Sequence, residues 1–532
     1  MRSAPDKDQS PARTACDGEF CAERTESSGP VRHSGRRVLS NTLSIAVGSN
    51  LAAVGRLVVL ALIARQSGTA ALTQFAVIVQ LLRIAEGLLD FGGSDIFVRE
   101  VNREPSRMRR LLRILTAHKL VHVVPIGLLF LASLYILRSE SAEQTSALRD
   151  AGVVGGLSLV AYIGVLVYRV PFRAGLAMHR EMIAEIGSVA ALILIVYFLP
   201  TGSGIAAILW AYVASRVVFG LLCMTLGFDR FRPSLGGVSL RDVGWAYRSL
   251  AVIGIAGVFG WLYVSSDLLL LQFIIPGGTE SIESAYFVAG QKFAGPALLA
   301  LAAIGGTLYS VVAAAWHHDK PRFRRSCQLA VDSIFVLGGL PFVLFFSAGP
   351  FFIGLIDESL GVGGARVAAP IALLCVAKAV SMTFGPALFI VNQQRWILFM
   401  LIWSLAIKAA AIVAVLEFLP EDHALGGGSG VAWVSLAAET LLITVPVLLL
   451  VRRFTGFAAS WWIPARAAAC AVAAVLITSV VLPEPDLAAA VAGALLYSGL
   501  VLATRTARPV QLLAMLREGD RSVPVGGERG RL

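Results

Sequence analysis

Six basic side chains, Arg56, Arg83, Arg216, Lys292, Lys378 and Lys408, stand inside stretches otherwise too apolar to be surface, together with the three acids Glu86, Asp267 and Glu439. A cation at the centre of a bilayer costs about 2.5–3.5 kcal/mol on insertion scales, so each is either half of an ion pair or part of a site. Positive charge is in excess. Guanidinium and ammonium groups give phosphate oxygens charge-assisted hydrogen bonds of roughly 1.5–3 kcal/mol each. The excess therefore suits a multiply charged anion, and a pyrophosphate head group would match.

Spacing groups these residues. Gln80, Arg83, Gly87, Asp90 and Ser94 recur three or four apart, which puts them on one face of a helix that must see water or protein. With a turn near residue 68, Arg56 before it and Arg83 after it reach one level at 1.5 Å rise per residue. The same arithmetic around Gly278 sets Asp267 level with Lys292 and predicts that they pair. Arg216 falls midway along its segment; Lys378, Ser381, Gly385 and Asn392 form a partial stripe; Lys408 and Glu439 read as a structural ion pair. The structural alternatives are plain: Arg83 can neutralise Glu86 at i, i+3, and Lys292 can be spent on Asp267. His118, Lys119 and His122 fall near an interface, where solvation makes charge cheap.

The elements that must carry these residues are transmembrane helices. Of 532 residues 57% are hydrophobic and 15% charged, with a mean hydropathy of +0.76, values that exclude a soluble enzyme, a secreted disulfide scaffold, a coiled coil and a disordered chain. About 20 residues cross a hydrocarbon core of roughly 30 Å, and cutting the chain at its polar punctuation gives about fourteen spans between 41 and 504. Alternate gaps differ sharply in basic residues, twenty-one against four, which places both termini in the cytoplasm and explains the net charge of +11 without nucleic acid. The first apolar stretch, from Asn41, is long enough to start insertion as an uncleaved helix. The six cysteines show no CxxC or other metal-ligand spacing, so neither a disulfide framework, a metal nor a cofactor is expected.

An internal similarity divides the chain. FAVIVQ at Phe75–Gln80 lies over YFVAGQ at Tyr286–Gln291, each after a short turn and each followed by a base, Arg83 or Lys292. The expected architecture is all-α and integral to the membrane: a disordered cytoplasmic tail (1–39), a six-helix lobe (40–228), a cytoplasmic linker (229–246), a second, pseudo-symmetric six-helix lobe (247–454), two additional transmembrane helices (455–504) and a cytoplasmic tail (505–532). A site between such lobes is a cleft at mid-membrane. The last two helices, rich in alanine, are expected to pack against other helices. Pro296 after Gly295 and Pro386 after Gly385 are candidate kinks.

The hairpin Asn41–Glu100, above all its aromatic start at Phe75 and its ending LLDFGGSDIFVRE (Leu88–Glu100), resembles the opening of the polysaccharide flippases of the multidrug/oligosaccharidyl-lipid/polysaccharide exporter superfamily. SSDLLLLQFIIPGGTESIESAYFVAGQKFAG (Ser265–Gly295) is similar to that family's second-lobe signature, in which an Asp precedes an apolar run and an aromatic residue precedes a Lys. The resemblance spans roughly residues 40–450. It implies an inner-membrane flippase that moves an undecaprenyl-pyrophosphate-linked oligosaccharide, such as an O-antigen or exopolysaccharide unit, by alternating access. It further implies that Arg56, Arg83 and Lys292 hold the pyrophosphate; from their own placement Arg216, Lys378, Gln80 and Asp267 are further candidate substrate contacts, and a polysaccharide polymerase and a chain-length regulator are expected partners. The acid–aromatic pattern with downstream proline of the lipid II flippases is absent. Two readings compete: a cation-coupled multidrug antiporter, which needs free carboxylates, and a membrane-embedded polymerase or glycosyltransferase, which needs a long extramembrane loop.

Overall fold

The computed structural model describes residues 35–137, 142–175, 177–228, 236–391, 393–420, 423 and 425–506. The tail expected over 1–39 lies outside them up to residue 34, as do 229–235 of the linker, the stripe residue Asn392 and 507–532 of the second tail. Among the described residues the regular structure is helical: α1 Gly35–Asp90, α2 Gly93–Arg103, α3 Met108–Ser133, α4 Ala142–Gly156, α5 Ser158–Ala174, α6 Met178–Tyr197, α7 Ile205–Gly227 and α8 Leu240–Ile274. There follow α9 Ile282–His318, α10 Lys320–Gly354, α11 Gly361–Ile390, α12 Gln394–Phe418, α13 Gly427–Ala438, α14 Val445–Thr455, α15 Trp462–Val481 and α16 Leu487–Ala503.

The punctuation follows local chemistry. At Gly68 the backbone takes φ 87, which costs glycine nothing, and α1 folds there into a first and a second half. Ser239 and Asp242 form a capping box at the start of α8, and the two hydrogen bonds from Ser239 hold the Asp242 carboxyl below the usual range. Between α13 and α14 the helix widens into a π-turn at Glu439–Thr444. Pro296 and Pro386, the candidate kinks, lie inside α9 and α11, whereas non-helical backbone occurs at Gly68 and at Ala348 (φ −139), two residues before Pro350.

Helix α1 is the spine of the molecule, packing against α3, α6, α8 and α9. Helix α5 lies along α7, α9 along α11, and α8 along α12. Helices α15 and α16 rest on α10, where the Tyr497 hydroxyl donates to the Val336 carbonyl at 2.5 Å within a small apolar core of Val343, Ala471 and Ala474. The outside of the bundle keeps large apolar side chains: Leu128, Leu194, Trp403, Leu476 and Val480 are each more than half exposed, a surface only lipid can cover. Ten of the described helical segments are long and apolar enough to cross a membrane, and the protein is a multi-pass membrane protein. Val47–Asp90 counts once in that ten although Gly68 turns within it, α6 is diluted by Arg180, Glu181 and Glu185, and Leu487–Ala503 is a shorter apolar helix.

Two buried charge clusters correct the sequence reading. Lys119, placed there in a solvated interface, is 0% exposed. Its ammonium donates to the carbonyls of Leu89 (2.8 Å) and Asp90 (2.5 Å) and lies 3.6 Å from an Asp90 carboxylate oxygen, so it satisfies acceptors that end α1. His118 and His122 are buried beside it, and the His122 ring bridges the Tyr247 hydroxyl of α8 and the Leu88 carbonyl. In the second cluster Asp267 pairs with Lys408, not with Lys292, because α8 packs along α12 and brings Lys408 across to it. Lys408 also donates to the Tyr263 carbonyl at 2.8 Å, while Glu439, its expected partner, accepts from Ser381 at 2.6 Å.

Breaking such a pair on one side strands a charge in a dry interior, whereas neutralising both sides does not. Lys408→Met is therefore expected to destabilise the purified protein by about 3–5 kcal/mol, and Lys408→Met combined with Asp267→Asn to recover most of the loss. Thermal unfolding in detergent micelles measures both; a double variant no more stable than Lys408→Met would show that the stranded carboxylate is not the cause.

Candidate functional site

Where the second half of α1 faces α8 and α9, the bundle encloses a cavity of about 420 Å³. Each of the seven side chains expected at a binding site lines it: Arg56, Gln80 and Arg83 from α1, Arg216 from α7, Asp267 from α8, Lys292 from α9 and Lys378 from α11. The Gly68 turn accounts for Arg56 and Arg83, which come back to one level from opposite sides of the fold. Gln80 is fixed by its amide, which donates to Ser265 Oγ of α8 at 2.6 Å.

The lining carries six cations, the sixth being Arg169, against the acids Glu86, Glu185 and Asp267. Ion pairing sorts them into two groups. Arg56 bonds Glu185 at 2.8 Å, Arg169 bonds Glu181 at 2.6 Å, Arg216 forms an ion pair with Glu86 at 2.7 Å, and Asp267 is held by Lys408. Arg216 also donates to the Tyr212 hydroxyl at 2.9 Å and lies 5.2 Å from the centre of the Tyr162 ring, an arrangement that holds the guanidinium in one orientation. Arg83, Lys292 and Lys378 form the second group. Among the described residues none of the three has a carboxylate in ion-pairing distance. Glu86, one helical turn from Arg83, pairs instead with Arg216, so the Arg83–Glu86 ion pair that the sequence allows does not form. Lys292 lies within electrostatic reach of Arg83 and Arg56.

Several lining residues escape the sequence reading. Arg169 belongs there to a basic gap between spans, yet α5 carries it to the cavity wall, where Glu181 balances it. Glu185 gives a signal in retrospect: two acids four apart in the first turns of an apolar helix need partners inside the bundle. Trp261 gives none, because its place depends on the absence of a side chain opposite; a Cβ at Gly87 would lie 2.2 Å from the indole nitrogen. Expected pair partners at Lys408 and Glu439 lie outside the cavity lining. Among the described residues no group of three His, Cys, Asp or Glu side chains could hold a metal ion.

A cavity of fixed cations in a helical membrane bundle can bind an anion. Comparisons with known proteins show which folds this bundle shares. A lipid II flippase, MurJ, in an inward closed conformation aligns with a TM-score of 0.68 over 87% of this chain and 99% of its own, at 11% identity. A MATE transporter in complex with MaL6 aligns with a TM-score of 0.60 over 80% and 97%, at 15% identity. A transporter of the MOP superfamily from Pyrococcus furiosus, described by the reversed polarity of its binding pocket, aligns with a TM-score of 0.58 over 80% and 97%, at 14% identity. No curated protein matches the chain by sequence. The family described as polysaccharide biosynthesis protein matches residues 38–316, which is more than half of the chain, and the protein belongs to that family.

Proposed function

We propose that the protein is a flippase of the inner membrane that carries an undecaprenyl-pyrophosphate-linked oligosaccharide from the cytoplasmic to the outer leaflet for cell-surface polysaccharide, O-antigen or exopolysaccharide. One observation carries the reading: Arg83 and Lys292 face a shared cavity without carboxylate partners, while every acid in the lining is already paired. Unpaired buried cations are expensive, and a ligand that brings its own negative charge removes the expense. A pyrophosphate brings several oxygens at the right separation for more than one donor. In this reading Arg83 and Lys292 grip the pyrophosphate, Lys378 adds charge from α11, and Arg56 and Arg216 stand ready beside them. The glycan fills the polar remainder of the cavity.

The architecture that fits this function is fourteen crossings in two six-helix lobes, 40–228 and 247–454, followed by two further helices over 455–504, with both termini in the cytoplasm. The bend at Gly68 supports two crossings within α1, and the contrast of basic gaps supports the orientation. Rocking of the lobes about the cavity exposes it to one side and then the other. A polysaccharide polymerase and a chain-length regulator are the partners that the product requires. No covalent step is assigned to the protein.

The fold is equally that of the multidrug transporters, so a cation-coupled antiporter is the second reading, and the carboxylates of the lining favour it. Polarity separates the two. A drug cation needs an acid free to receive it, and here Glu86, Glu185 and Asp267 are occupied.

Arg83→Ala and Lys292→Ala are each expected to weaken binding of inorganic pyrophosphate to the protein in nanodiscs by about 10- to 100-fold, measured by calorimetry. Both should abolish glycan export in cells deleted for the gene, while Lys292→Arg, which keeps the charge, retains most of it. Full export with both alanine variants would end the cavity assignment. Unchanged export in the deleted strain, together with new sensitivity to cationic drugs, would establish the antiporter instead.

A further inference from the structure

A second, smaller cavity of about 90 Å³ opens from the first inside the bundle, between the two halves of α1, α6 and α7. The two share the charged residues Arg56, Arg83, Glu185, Arg216 and Lys292 together with Leu60 and Phe219, so the charged cluster stands at the junction between them. Away from that junction the smaller cavity is walled mainly by Val59, Phe75, Ala76, Val79, Val189 and Leu192, with the hydroxyls of Ser188, Tyr212 and Ser215 beside the charged residues. Its hydroxyls are engaged: Ser188 donates to the Ser215 carbonyl at 2.9 Å, Ser215 donates to the Tyr212 carbonyl at 2.7 Å, and the Tyr212 hydroxyl accepts from Arg216 at 2.9 Å.

The branch has a direction. Val59 follows Arg56 toward the Gly68 turn, Val79 and Phe75 lie between Arg83 and the same turn, and Leu192 follows Glu185 toward Tyr197. Tyr197 meets that turn, its carbonyl accepting from the Gln66 amide at 3.3 Å. From Glu185 to Leu192 is seven residues, so the branch runs about 10 Å from the cations. The polar atoms of its wall beyond the ionic groups are the hydroxyls of Ser188, Tyr212 and Ser215, next to Glu185 and Arg216, so its far end, lined by side chains such as Val59, Phe75 and Leu192, favours hydrocarbon over water.

A cationic junction with one polar arm and one apolar arm matches a molecule whose phosphate has sugar on one side and hydrocarbon on the other. We propose that the apolar branch is the subsite for the first carbons of the carrier lipid, the alkyl or isoprenoid segment attached to the pyrophosphate; this rests on the flippase reading above and deepens it. A soluble anion such as a sugar nucleotide gives the branch nothing to hold. The subsite places the chain on the α6 side of Arg83, within the first 228 residues, with the head group turned toward Lys292 and Lys378. Arg56 belongs to both cavities and ties α1 to α6 through Glu185. A phosphate that draws Arg56 off Glu185 therefore loosens the seam by which the rest of a long chain reaches the bilayer.

Methyl, dimethylallyl and geranyl pyrophosphate carry the same head on lengthening chains, and their affinities for the full protein in nanodiscs, corrected with empty nanodiscs, read the subsite. Each buried methylene adds about fourfold, so dimethylallyl pyrophosphate should bind at least about tenfold tighter than methyl pyrophosphate. Ala76→Leu fills the branch from its wall and should erase that increment while binding methyl pyrophosphate as the wild type does, which also reports that the variant is folded. If Ala76→Leu does not fold, Leu192→Ala serves: it enlarges the branch and should widen the gap between geranyl and methyl pyrophosphate. Equal affinities across the series in the wild type, or a series unchanged by the variants, overturn the subsite. Neither result touches the flippase reading, which fails instead if Arg83→Ala binds methyl pyrophosphate as tightly as the wild type.

Discussion

The cost of leaving a charge unpaired inside a bilayer organises this molecule. Where an interior cation has a partner, the pair ties two helices together: Arg56 and Glu185 join α1 to α6, Arg216 and Glu86 join α7 to α1, and Lys408 and Asp267 join α12 to α8. Lys119 does the same for α3, holding the carbonyls and carboxylate at the end of α1. Such contacts restrict how helices can rotate, since turning any one of them away exposes a charge to hydrocarbon. What these pairs leave over, Arg83, Lys292 and Lys378, is concentrated on one cavity. Scattered, such cations would each bear the cost alone; gathered around one void, they can share a single counter-charge.

Helix α1 makes that gathering possible. Its turn at Gly68 returns the chain through the bundle so that Arg56 and Arg83, twenty-seven positions apart, share two cavities. The second half then contacts α8 through Gln80 and Ser265, and through Trp261 seated over Gly87. A side chain at Gly87 would push α8 away and open the wall of the cavity. The site thus depends on a glycine that allows a turn and on another that allows an approach.

Depth was legible in the sequence because the helical rise is fixed: counting residues from Gly68 and Gly278 set Arg56, Arg83, Asp267 and Lys292 level, and all four line the cavity. Partner choice was not. Asp267 and Lys292 are level, yet Asp267 turns to Lys408 because α8 lies along α12, a fact of packing that residue spacing along two adjacent segments does not contain. Arg169 and Lys119 were misplaced for the opposite reason: basic residues near a span end read as solvated, and only the fold shows that α5 and α3 carry them into the protein. Sequence periodicity reports which residues share a face, whereas the neighbour that the face meets is decided by every other helix at once.

The fold alone leaves the ligand open, since a lipid II flippase and MATE transporters share it at identities of 11–15%. Polarity of the cavity narrows it, and the paired arginines matter here as much as the free ones. A guanidinium held by a carboxylate and by two tyrosines, as Arg216 is by Glu86, Tyr212 and Tyr162, has already lost its rotamer freedom before any ligand arrives. An anion that reaches it meets an oriented fork and does not have to order it, which removes one of the main entropic costs of binding. The carboxylates therefore keep the empty cavity stable and its donors aligned, and they compete with the ligand for the same donors. That competition limits the affinity of the cavity for any anion, because each donor a ligand gains is one that a carboxylate gives up.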